Sequence, residues 1–274
     1  MKLPLNNLSY PVRILIGEFS GSGFLISYKK IVYLVTARHV IYQQDTITKN
    51  FIPYADKFKI LCYTFTDNNI QRTPRIYEVD FNAFFGNQNI KTNNRADLVI
   101  VKLGTLNEKL ELMFTPGVKK INDVSGALVH YVMSNSRKFD EVEITNDIFV
   151  LGYPSSLSTP EMKQIDYDSP LVRGGIVAGK NYGNKTLILD CPAYGGNSGG
   201  LVLEINMELG KIHLIGVVTE FVPFIDRWRN VRFPNLYNTN LQNSGYSVAI
   251  PVDCIYDLIS DLKASSAPEI PPTA

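Results

Sequence analysis

This chain of 274 residues has little of what usually cross-links a protein or binds a metal. It carries three cysteines, three histidines and one tryptophan. Cys62, Cys191 and Cys254 are odd in number and far apart, which excludes a disulfide framework. They read as reduced thiols of a cytoplasmic protein. No Cys/His spacing fits a zinc site, and no metal or other cofactor is expected. An excess of charge is missing too. Lys and Arg number 27 against 26 Asp and Glu, a net charge of +1. That balance speaks against nucleic acid or an anionic membrane as partner. Arg227, Arg229 and Arg232 form a local basic cluster, read as a solvated loop face. No apolar run reaches transmembrane length. The stretch from Met1 to Asn7 lacks the apolar centre of a signal peptide. There is no internal repeat and little long helical periodicity. The remainder is globular in composition, 45% hydrophobic and 19% charged, and long enough to bury an ample core.

Against that background one stretch stands out, Tyr194-Gly195-Gly196-Asn197-Ser198-Gly199-Gly200-Leu201-Val202. Glycine tolerates positive φ and lets another chain approach closely. Four glycines around one hydroxyl make a turn in which backbone N–H groups can converge on one point. Acyl transfer needs that arrangement where negative charge develops. The same glycines would also make an ordinary hairpin with an incidental serine.

A nucleophilic serine needs a base and a group to orient it. His39 ends the apolar run Tyr33-Leu34-Val35-Thr36-Ala37-Arg38-His39-Val40, downstream of Gly21-Ser22-Gly23-Phe24. Asp97 opens the run Asp97-Leu98-Val99-Ile100-Val101. His130 lies in an apolar segment and reads as a packed histidine. His213 lies mid-strand and reads as structural.

Thr36-Ala37-Arg38-His39, Ala96-Asp97-Leu98-Val99 and Gly196-Asn197-Ser198-Gly199-Gly200 resemble three segments of the trypsin/chymotrypsin superfamily. They occur in that family's order of His, Asp and Ser, at separations of 58 and 101 positions (97 − 39 and 198 − 97). Asp147 to Pro154, Val172 to Ala178 and Ser247 to Pro251 are similar to strands of bacterial HtrA-type proteases, although no PDZ-sized segment follows. The resemblance covers about residues 10–262. It implies an all-β fold of two six-stranded antiparallel barrels, chymotrypsin-like, with a C-terminal helix. Residues 1–104 would be the barrel carrying His39 and Asp97, and 105–146 the inter-barrel segment. Residues 147–251 would be the barrel carrying Ser198, 252–263 the helix and 264–274 a disordered tail.

The residues themselves read mostly as strands with Gly, Asn, Asp and Pro between them, which favours a barrel or a sandwich. Strands are expected over Val12 to Ile16, Gly23 to Ser27, Ile31 to Thr36, Phe58 to Phe65, Arg75 to Val79 and Leu98 to Leu103. Further on, Gly126 to Met133, Leu187 to Asp190 and Lys211 to Val218 are expected strands. Leu106 to Phe114 is expected to be helical. Ile255, Leu258, Ile259 and Leu262 fall at helical spacing. Val222 to Ser244 reads as a long loop.

The resemblance also implies roles. Ser198 attacks the carbonyl, His39 moves its proton and Asp97 orients His39. The amides of Gly196 and Ser198 form the oxyanion hole. Thr219, Glu220 and Phe221 match the edge strand that pairs with an extended polypeptide substrate. Thr219 also matches a serine that supports the triad carboxylate. Pro192 stands at the pocket floor, where trypsins have an aspartate, and Gly245 at its wall. An apolar residue before the scissile bond is therefore expected. Asn197 stands where secreted members carry an aspartate that captures a freed N-terminus. Control by an activating partner or a homo-oligomer is expected in place of zymogen cleavage. A latent peptide-binding protein and an ester hydrolase are the competing readings.

Overall fold

The computed structural model describes residues 3–66, 69–71, 73–84, 89–92, 95–155, 164–206, 210–229, 232–233 and 235–265. Six main strands and a helical turn make the first half: β1 (Pro11–Ile16), β2 (Phe19–Tyr28), β3 (Ile31–Thr36), α1 (Arg38–Ile41), β4 (Lys57–Cys62), β5 (Arg75–Asp80) and β6 (Val99–Leu106). They pair in the order β6-β3-β2-β1-β4-β5. The second half holds β7 (Asp147–Gly152), β8 (Leu171–Asn181), β9 (Thr186–Asp190), β10 (Leu201–Asn206), β11 (Lys211–Arg229), β12 (Tyr237–Pro251) and α2 (Asp253–Ser265). Its strands close into a barrel, β7-β8-β9-β12-β11-β10. The fold is a chymotrypsin-like double β-barrel with a C-terminal helix.

The halves differ in closure. In the first, the outer edge of β6 pairs with Ile90–Thr92 and that of β5 with Val118–Lys120. The two edges that would seal a six-stranded ladder are thus already occupied, and the sheet wraps its core without closing among the described residues.

The continuous apolar runs of the sequence have one cause. Side chains alternate across a strand, and these strands are buried on both faces. Phe24, Ile26, Tyr33, Val35, Leu98 and Ile100 meet Leu201, Leu203, Leu214 and Val217 in a core shared by the two halves. Between them Leu25, Leu34, Val99 and Val101 turn into the first half's own core. Val202, Ile215 and Val218 turn into that of the second. Helix α2 adds Ile255, Leu258, Ile259 and Leu262 to the shared core. At roughly 1.5–3 kcal/mol per buried aliphatic side chain, this stripe holds the helix to the joint. The shared core matters for function because β3, β6 and β10 end beside it at one edge.

Four expectations need correction. Leu106 to Phe114 is not helical: a turn leads into Leu112–Phe114, a strand on β6. The side chain of Asn107 accepts the amides of Lys109 and Glu111, both at 2.9 Å, and this local cap outcompetes a helix. Phe58 to Phe65 breaks after Cys62, and Thr64–Thr66 joins a small separate sheet. Gly126 to Met133 divides into Ala127–Leu128, paired with Phe65 and Thr64, and Tyr131–Val132, which pairs parallel with β2. Val222 to Ser244 is no loop either. β11 and β12 run on as a ribbon from Pro223↔Asn243 to Arg229↔Tyr237. The expected tail lies beyond the described residues, apart from its first two. Among the described residues no helix is long and apolar enough to cross a membrane.

Candidate active site

The three residues singled out by the sequence come from three strand ends around the shared core. His39 lies in α1, directly after β3. Asp97 precedes β6, and Ser198 precedes β10. The His39 ring Nδ1 pairs with Asp97 Oδ2, and the His39 amide donates to Asp97 Oδ1 at 3.1 Å. Burial alone would raise the Asp97 pKa. The His39 ring, the His39 amide and the Arg38 guanidinium outweigh burial and hold the carboxyl below its ordinary value. Arg38 Nε sits 3.8 Å from Asp97 Oδ1, and its guanidinium stacks 3.9 Å from the Phe51 ring centre.

With Nδ1 committed to Asp97, the other ring nitrogen of His39 is left for the cleft. His39 and Ser198 line one cavity of about 320 Å³, together with Ala193, Tyr194, Gly195, Val218, Thr219, Glu220 and Phe221. The Ser198 hydroxyl donates to the Thr219 carbonyl at 3.1 Å and not to His39.

The peptide groups around Ser198 can be accounted for one at a time. The Asn197 amide donates to the Tyr194 carbonyl at 2.9 Å, and the Asn197 side-chain oxygen accepts the Tyr194 amide at 3.0 Å. The Asn197 carbonyl accepts the Gly200 amide at 2.8 Å. The Gly199 amide reaches the Val218 carbonyl at 2.7 Å, and the Ser198 carbonyl accepts the Ser22 amide at 3.1 Å. Among the described residues the amides of Gly196 and Ser198 donate to no protein acceptor. A trans peptide points its C=O and N–H in opposite directions. The Asn197 carbonyl turned into the turn therefore sends the Ser198 N–H out of it. Two glycines make this path possible. Gly196 has φ +95° and backs on Tyr153 and Ser155, where a Cβ would come within 2.4 Å of the Ser155 amide. Gly199 has φ +86°, and its Cβ would lie 2.0 Å from the Ser22 carbonyl.

Other sequence expectations fare differently. Thr219, Glu220 and Phe221 line the cleft, but Pro192 and Gly245 do not. The Asn243 side chain donates to the Ala193 carbonyl at 2.5 Å and accepts the Gly245 amide at 2.9 Å, so it stands between Gly245 and that wall. The Pro192 carbonyl is engaged from behind by Arg173, at 3.4 Å. The Thr219 hydroxyl points to the Val248 carbonyl at 3.5 Å and gives Asp97 no support. His130 and His213 are not among the cleft residues. His213 bonds the Asn135 carbonyl at 2.9 Å, and burial lowers the His130 pKa. Sequence reasoning missed Ser22, Ala193, Tyr194, Val218 and Asn243. Of these, Ser22 and Tyr194 lie in segments quoted above, but nothing in the sequence assigns either a role.

The trypsin-like peptidase domain family matches residues 21–212. That span is well over half of the chain, and the chain belongs to this family. Solved structures similar to it include the HtrA-type protease AlgW with a tripeptide, at 15% identity and a TM-score of 0.49. This match covers 93% of the present chain and 60% of AlgW, so the chain spans less than two thirds of that relative. Deg5 matches at 17% identity and a TM-score of 0.48, over 92% of this chain and 88% of its own. An inactive mutant form of Rv3671c from M. tuberculosis H37Rv matches at 12% and 0.46, over 94% and 89%. No curated protein matches the sequence.

Proposed function

We propose that this chain is a serine endopeptidase that uses Ser198, His39 and Asp97 and passes through an acyl-enzyme. The observation that carries the reading is the pair of unspent amides, Gly196 and Ser198, beside a hydroxyl that shares its cleft with an Asp-bound histidine. In the reaction Ser198 Oγ leaves the Thr219 carbonyl and attacks the scissile carbonyl. The free ring nitrogen of His39 takes its proton and returns it to the leaving amine. Asp97, kept ionised, holds Nδ1–H and stabilises the imidazolium. The two amides take the oxyanion, and each such donor is worth about 10²–10³ in kcat.

An extended polypeptide would lie along Thr219 to Phe221 as an added strand. The cleft walls of Ala193, Val218 and Phe221 suit an apolar residue before the scissile bond. Asn197 supports activity without zymogen cleavage, because its amide closes the turn from within. Control then falls to a protein partner or a homo-oligomer. The free thiols Cys62, Cys191 and Cys254 suit a reducing compartment, the cytoplasm.

One observation favours a second reading. With its hydroxyl held by the Thr219 carbonyl, the protein would be a latent or inactive peptide-binding member of the family. A fluorophosphonate probe separates the two. Rapid labelling of wild type, lost in Ser198→Ala, is the expected result. A folded wild type that stays unlabelled would favour the binding protein.

A further inference from the structure

Ser22 belongs to β2, on the half of the molecule that bears His39, and is fully buried. Its hydroxyl oxygen lies 2.5 Å from the Gly196 carbonyl and 2.7 Å from the Tyr153 amide nitrogen. An amide can only donate, and a hydroxyl has one proton. The Tyr153 amide therefore fills the Ser22 oxygen's acceptor role, and the Ser22 proton goes to Gly196. The Ser22 backbone takes part as well. Its amide donates to the Ser198 carbonyl at 3.1 Å, and its carbonyl accepts the Thr36 hydroxyl at 2.6 Å. One residue thus grips the nucleophile turn on both sides of Asn197 and is itself tied to β3, which leads to His39.

The Gly196 carbonyl matters because of where else it can point. The Gly196 carbonyl shares its peptide with the Asn197 N–H, so turning it outward would also pull that N–H off the Tyr194 carbonyl. Without a donor, a half-buried carbonyl gains a partner by turning outward to water in the cleft. There its lone pairs would face the developing oxyanion, and the turn would lose the path that keeps the Gly196 amide clear. We infer that Ser22 is a positioning residue for the oxyanion hole: its hydroxyl holds the Gly196 carbonyl inward so that the amides of Gly196 and Ser198 stay aimed at the cleft. The inference rests on the proposed serine-hydrolase reading, because it gives that site its rigid frame.

The test compares wild type with Ser22→Ala and Ser22→Thr, each kept well below its own melting temperature. A peptide ester substrate gives kcat and KM. A peptide aldehyde, which forms a tetrahedral oxyanion adduct, is set beside the matching uncharged peptide amide. Ser22→Ala should lose about 10–100-fold in kcat, somewhat less than direct removal of a donor, with KM within twofold. Its aldehyde affinity should fall in parallel while amide binding holds, and Ser22→Thr should recover part of the loss. Amide hydrogen exchange at Asn197, Gly199 and Gly200 should speed up in Ser22→Ala. Wild-type kcat and wild-type exchange in Ser22→Ala would overturn the inference, as would a loss confined to KM. If wild type itself neither turns over ester nor labels with fluorophosphonate, the proposed function fails. The exchange measurement then decides the role of Ser22 alone, and unchanged protection of the turn refutes it.

Discussion

The nucleophile turn and the ribbon formed by the far ends of β11 and β12 are neighbours built in opposite ways. The turn spends four glycines within seven residues, 194–200, and then pins nearly every peptide group. Its partners come from both halves of the molecule, Ser22 on one side and Val218 on the other. The ribbon runs as a two-stranded ladder from Pro223 to Arg229 against Tyr237 to Asn243, tied at its base by the Asn243 side chain to the Ala193 carbonyl. Directly paired residues share a face, which puts Ile225 with Leu241 on one side and Phe224 and Trp228 on the other. All of these are exposed. A two-stranded ribbon alone is marginal in water. The contrast separates pre-organisation from reach. Hydrogen bonds are concentrated where a fraction of an ångström decides a rate, and exposed side chains are left where a surface can adapt.

The strongest way to break the comparison is to stiffen the turn at the wrong place. Gly199→Ala puts a Cβ 2.0 Å from the Ser22 carbonyl at φ +86°. The backbone strain alone costs about 1–3 kcal/mol, and the clash adds to it because the Ser22 carbonyl is fixed by Thr36. Moving that carbonyl moves the Ser22 hydroxyl off Gly196. Fluorophosphonate labelling of folded Gly199→Ala should fall by at least about 10³-fold, equivalent to losing more than one oxyanion donor. Labelling within tenfold of wild type would show that the turn tolerates a path its hydrogen bonds oppose.

A smaller effect asks whether the turn borrows its rigidity from the far end of β10. Glu204 is completely buried there and meets Arg137 at 2.8 Å, the Asn146 side chain at 3.0 Å and the Glu143 amide at 3.3 Å. Glu204→Ala strands Arg137 with only the exposed Glu143, 3.7 Å away. Breaking a buried pair usually costs 3–5 kcal/mol. Arg137 retains some contact with water, so about 3 kcal/mol is expected in a denaturant melt. Labelling of the folded fraction should not change. A parallel loss of labelling would mean that turn and barrel are one mechanical unit.

The sequence revealed the triad candidates because each lies at the end of a run buried on both faces. Doubly buried strands leave unbroken apolar stretches, and a lone His, Asp or Ser at their edge is conspicuous. Ser22 was illegible for the opposite reason. Its partner Gly196 is 174 positions away, and a serine bonded to a distant carbonyl looks like any small polar residue. The cleft wall was displaced for a similar reason, since the Asn243 side chain intervenes between Ala193 and Gly245. Around Asn107, apolar spacing lost to a side-chain cap of five residues' reach. The ribbon was hidden by length: β11 runs 19 residues, far beyond the usual strand of 5–6, and Pro223 and the asparagines near Asn238 look like loop chemistry.

The smallest effect belongs to the ribbon. Trp228 is 66% exposed and faces Asn238 across the ladder. Little of its surface is buried within the chain, so Trp228→Ser removes few contacts and leaves no cavity. A surface substitution of this kind changes stability by no more than about 0.5 kcal/mol. Labelling by a small fluorophosphonate, which never reaches the ribbon, should be unaltered. The comparison gains most from repeating the melt at several protein concentrations. A ribbon that is solvated in solution gives the same small difference at every concentration. A loss above about 1 kcal/mol that grows with concentration would show that Trp228 packs against a second copy, because burying an aromatic side chain contributes on that scale. The ribbon would then be as fixed as the turn, held from outside the chain instead of within it.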